Sequence, residues 1–122
     1  GGRGACILVF RSWVLWQSCD FSEPTGSEGG TIIRDEEHLH GARITLESAT
    51  LSAPFAITCG VYGWMVHTRF FANEIDATHE YEAMKRGLEE ILAAIPAESE
   101  TSLGEGAGSG VAAIEAFLRR FP

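Results

Sequence analysis

The sequence predicts an α+β domain: a mostly antiparallel sheet of four to five strands, then two helices packed on one face of it. Three observations carry that prediction. Residues 42–47 alternate apolar and polar, residues 54–71 form the most apolar and aromatic run after the N-terminus, and residues 77–95 repeat apolar side chains at steps of three and four. Strand signals come first and helix signals after, the segregated order of this class.

The chain has 122 residues, enough for one domain over 1–122 that buries roughly two-thirds of its unfolded surface. Residues 1–4 read as loose, and 20–30 and 97–110 as flexible loops, from their Gly, Ser and acidic content. Seventeen acids against nine bases leave a net charge of −8. Such a surface repels phosphate backbones and acidic membranes, so no nucleic acid or membrane partner is expected, and a protein with a basic surface fits better. Cys6, Cys19 and Cys59 are odd in number and form no CxxC pair. They read as reduced thiols in a cytoplasmic setting. No apolar run reaches the length of a membrane span, and Arg11 interrupts the N-terminal one.

Residues 6–16 are apolar on both parities and β-branched, which favours one strand buried on both faces over a short buried helix. Residues 31–36 and 42–47 form a first hairpin around Gly41, with Ala42, Ile44 and Leu46 inward and Arg43, Thr45 and Glu47 on a wet face. In 54–71 the apolar residues shift from odd positions (Phe55, Ile57, Cys59, Val61) to even ones (Tyr62, Trp64, Val66, Phe70). Either a β-bulge or a hairpin with loop 60–63 produces that shift, and the hairpin is preferred. It sets Cys59 against Trp64 and turns Met65, His67 and Arg69 to the far face.

Asn73 or Asp76 caps a helix that Pro96 stops near Ile95. Ala77, Tyr81, Met84, Leu88, Ile91, Leu92 and Ile95 form its stripe, with Glu82 four before Arg86 as an ion pair. A last short helix covers 111–121 with Val111, Ile114, Phe117, Leu118 and Phe121 inward.

No motif commits the chain to a chemistry. Glu36, His38 and His40 have the two-residue spacing of metal ligands on a strand, but no third ligand stands out, so a polar hairpin end is preferred and no metal or cofactor is expected. His79-Glu80 begins a helical HExxH motif that fails at Ala83. Cys59 and His67 would make a nucleophile and base, but the expected register separates them by a sheet. Gly104, Gly106, Gly108 and Gly110 match no phosphate loop.

The leading reading is therefore a small acidic, non-catalytic protein-binding or regulatory domain, docking through Glu82, Glu89 and Glu90. The alternative is a small-ligand domain using an aromatic sheet face, with Tyr62, Trp64 and His67 at the site. A small enzyme built on His38, His40 or His67 is third. A homodimer is expected, because two helices cover one sheet face and leave Met65 and part of the Trp13/Trp16 set outside.

Overall fold

A computed structural model describes residues 5–10, 13–18, 25–95 and 105–122. Six strands run β1 (Ala5–Phe10), β2 (Trp13–Ser18), β3 (Thr31–His38), β4 (Ala42–Ser48), β5 (Phe55–Val61) and β6 (Met65–Phe71). They lie side by side in chain order as one sheet, every neighbour antiparallel. Helices α1 (Glu74–Ala94) and α2 (Glu105–Arg120) follow. The chain is thus an α+β fold, and no described helix is long and apolar enough to cross a membrane.

The run at 6–16, read as one strand, is a hairpin: Phe10 pairs with Trp13 and Ala5 with Ser18. In β3–β4, Ala42, Ile44 and Leu46 are buried as the alternation requires. Glu47, expected in water, is fully buried. Its carboxylate accepts from the backbone N–H of Gly30 at 2.9 Å and of Glu28 at 3.2 Å, so residues 25–30 fold over this face. A loop of flexible composition is pinned there by an acceptor seventeen residues further along the chain. The expected loops at 20–24 and 97–104 and the loose start at 1–4 lie outside the described residues.

The β5–β6 hairpin forms, with a different register. Its connection is 62–64, closed by Trp64 N–H on the Val61 carbonyl at 2.9 Å. Gly63 takes φ +82 at the third turn position, where type II geometry requires positive φ. Val61 therefore faces Met65, Cys59 faces His67 and Ile57 faces Arg69. The odd residues of β6, not the even ones, turn toward the helices. The reason is tertiary. His67 Nε2 lies 2.6 Å from the Phe121 carbonyl, Arg69 Nε donates to the Pro122 carbonyl at 3.1 Å, and Arg69 Nη1 donates to Glu80 at 2.8 Å. Carbonyls past the end of α2 lack helical partners, and these two side chains supply them.

Asn73 caps α1 by accepting from Asp76 N–H at 2.8 Å. Ala77, Tyr81, Met84, Leu88 and Ile91 are buried against Ile44, Ile57 and Cys59, as the stripe predicts. Arg34 of β3 binds Glu82 at 2.8 Å, so this acid joins the helix to the sheet. Helix α2 begins at Glu105, inside the stretch read as linker, and its Gly110 is buried where a Cβ would stand 2.8 Å from the Trp64 ring. Phe117 and Phe121 seal the core, while Val111 and Leu118 stay exposed. Trp13 and Met65, expected on the uncovered face, belong to the core under the helices.

Candidate functional site

The uncovered face carries a cavity of about 480 Å³ beside the β5–β6 hairpin. Strand register builds it. Arg43, Gly60 and Val66 lie in one cross-strand row, and Thr45 and Thr58 in the next. Gly60 leaves the floor open: a Cβ there would approach the Met65 carbonyl to 3.0 Å and Val66 Cγ2 to 3.5 Å. Tyr62 rises from the turn as the end wall, while Trp64 borders the cavity from the turn with its ring packed toward Gly110 of α2.

The polar rim is pre-ordered. Arg43 grips buried Asp35 with two hydrogen bonds, Nε at 2.9 Å and Nη2 at 2.6 Å. That bond, above all, holds the guanidinium protonated beyond its ordinary range, against the pull of burial. Thr45 also donates to Asp35, at 3.2 Å. Tyr62 donates its hydroxyl to Glu37 at 2.7 Å. Partial burial, and then the nearby Glu37 carboxylate, raise the Tyr62 phenol, so it stays a neutral donor. At the far side, Ser27 of the 25–30 loop lies 3.3 Å from the Thr58 hydroxyl, and Thr58 the same distance from Thr68.

Tyr62 and Trp64 thus stand together at the cavity, and His67 does not: it faces the helices and holds the Phe121 carbonyl. Arg43, Thr45, Thr58, Gly60 and Val66 join the site with no sequence motif to mark them. The one signal was Gly60 within an otherwise apolar strand, the usual mark of a close approach. Glu89 and Glu90 are exposed on α1, while Glu82 is engaged by Arg34.

Cys59 and His67 are cross-strand neighbours on the covered face, contrary to the separation expected from the register. The pair still offers no nucleophile. Burial pushes the Cys59 thiol up to about 12, with Arg69 opposing weakly, and the imidazole Nε2 is taken by the Phe121 carbonyl.

Glu36 and His38 also face the helices. Glu36 is buried, its Oε1 bonded to Arg34 at 2.9 Å and its Oε2 meeting Lys85 Nζ at 2.5 Å as an ion pair rather than an aligned hydrogen bond. His38 sets its ring edge-on to Trp13 at 4.9 Å and accepts the His40 backbone N–H on Nδ1 at 3.0 Å. That bond requires an unprotonated Nδ1. Burial, and then His40, lower the His38 pKa, with Glu89 opposing. His40 is exposed in the turn, and His79 is exposed on α1. No three His, Cys, Asp or Glu groups among the described residues converge as metal ligands. No protein-family model, curated protein or solved structure matches the chain.

Proposed function

We propose that the chain is a non-catalytic small-ligand-binding domain whose site is the cavity between Tyr62, Trp64 and Arg43. The carrying observation is a cavity of about 480 Å³ with apolar walls and a few fixed polar groups at its rim. Ligand sites run roughly 300–1,000 Å³ and share that make-up. The walls suit an apolar, partly aromatic molecule. Arg43 is neutralised by Asp35, so the rim favours a neutral hydrogen-bonding group on the ligand over a strong anion.

Titration with N-phenyl-1-naphthylamine, a neutral fluorescent aromatic amine, tests this. The probe should brighten with one site per chain, and Tyr62→Ala should weaken it about tenfold through loss of aromatic area. His67→Ala should leave probe affinity unchanged. Equal affinity of Tyr62→Ala and the parent chain would remove the reading.

A second reading, a protein-binding or regulatory domain with a basic partner, draws on the net charge of −8 and on exposed Glu89 and Glu90. Salt-sensitive binding of a lysine-rich peptide, lost in the double variant Glu89→Gln with Glu90→Gln, would favour it. The buried free thiol of Cys59 suits a reducing, cytoplasmic setting under either reading.

A further inference from the structure

We propose that β6 pairs with β6 of a second copy, antiparallel about a two-fold axis at Thr68, and that the partner's Phe70 thereby extends the cavity wall at Val66. Strand β6 ends the sheet, with β5 its one neighbour among the described residues. The direction of its backbone groups follows from two bonds. Tyr62 N–H reaches the Gly41 carbonyl at 2.9 Å, toward β4, and the Val61 carbonyl takes Trp64 N–H at 2.9 Å, toward β6. In an antiparallel ladder these directions alternate, so Val61, Cys59 and Ile57 bond to Met65, His67 and Arg69. Val66, Thr68 and Phe70 then aim their N–H and C=O groups away from the sheet.

The same three residues lie on the uncovered face, opposite Gly60, Thr58 and Ala56. Val66 is 80% exposed and Phe70 47%. They sit two residues to either side of Thr68, which makes the strand self-complementary. Antiparallel pairing about Thr68 sets Val66 against the partner's Phe70 twice, an aromatic–β-branched pair of the kind that stabilises sheets.

Edges that must stay single carry lysine, proline or a bulge. The β6 sequence MVHTRFF has no lysine or proline, and its pairing with β5 is regular. Its one arginine, Arg69, faces the helices and is held by Glu80 at 2.8 Å. A chain of net charge −8 thus offers its copy an uncharged edge. Seven residues of strand and two Val66–Phe70 pairs bury on the order of 1,000 Å² in total. That is the low end of specific interfaces. Because Val66 also lines the cavity, the partner's Phe70 stands at its open side.

The wall extension rests on the ligand-site reading; the pairing itself does not. Light scattering of the full chain, from low micromolar toward millimolar concentration, reads the pairing alone. The mass should rise to twice 13.2 kDa. Val66→Lys should return it to the single-chain mass with an unchanged circular dichroism spectrum, and Phe70→Glu alone should do the same. The double variant Val66→Lys with Phe70→Glu sets opposite charges across the axis and should restore the doubled mass. A single-chain mass throughout, a doubled mass that survives Val66→Lys, or growth beyond two copies through the β1 edge would each overturn the proposal. Probe titration with Tyr62→Ala reads the cavity separately, so either idea can fail alone.

Discussion

The two faces of the sheet hold their buried carboxylates in different surroundings. Under the helices, Glu36 is neutralised by side chains, Arg34 from its own strand and Lys85 from α1, which in turn lie over the Tyr81 and Trp13 rings. On the other face, Glu47 is satisfied by backbone N–H groups of the 25–30 loop, and Asp35 by Arg43 and Thr45 of the adjacent strand. The first arrangement fills space with apolar volume and leaves little for a ligand. The second spends polar contacts on holding a loop and a rim, and between them a cavity remains open. The covered face holds the apolar core, and the uncovered face holds the cavity and its polar rim.

Core truncation should show the contrast most strongly. Leu88→Ala removes a fully buried side chain and should cost about 2–5 kcal/mol. Glu89→Ala, one residue on and exposed, should stay within about 0.5 kcal/mol. Urea denaturation of both variants measures the difference, and equal losses would contradict the division between the faces.

On the uncovered face, Glu47→Ala should cost roughly 1–3 kcal/mol, because it leaves buried loop N–H groups without an acceptor. Limited proteolysis should find the 25–30 loop cut faster in this variant than in Leu88→Ala at matched stability. If both are cut alike, Glu47 is not what holds the loop.

A smaller effect concerns pH. The His38 pKa is lowered from its ordinary 6.5 in the folded chain. Below 6.5 the unfolded chain therefore takes up a proton that the folded chain resists, and stability falls as pH drops from 6.5 toward the folded value. Above 6.5 the imidazole is neutral in both states and contributes no slope. Thermal unfolding across that window should show a decline that His38→Gln flattens. A parent chain with no decline in that window would argue against the neutral Nδ1 that holds the β3–β4 turn.

Chelation should do least. With Glu36 taken by Arg34 and Lys85, and His38 packed on Trp13, a chelator should leave the melting temperature where it is. A drop of several degrees, reversed by zinc, would show that these side chains rearrange around a metal.

Much of the secondary structure was legible because it rests on short-range rules. The stripe of Ala77, Tyr81, Met84, Leu88 and Ile91 needs only helical periodicity, and the Asn73 cap needs only a local acceptor. The alternation at 42–47 placed Ala42, Ile44 and Leu46 correctly for the same reason. Of the site, Tyr62 and Trp64 were readable as aromatics flanking a glycine.

Local sequence pattern is thus enough for the type and order of most elements. Which residues meet was decided by tertiary structure. The register of β6 followed hydrogen bonds that His67 and Arg69 make to Phe121 and Pro122, more than fifty residues away. Apolar parity pointed the other way, and it lost because a satisfied buried polar group costs little while an unsatisfied one costs much. The close fit of Gly110 against Trp64 came from the tertiary fold, as did the burial of Glu47 by a loop whose composition reads as mobile. Periodicity records which side of an element is apolar. It carries no information on which distant donor, acceptor or ring will arrive to complete a polar side chain or fill the space above a glycine.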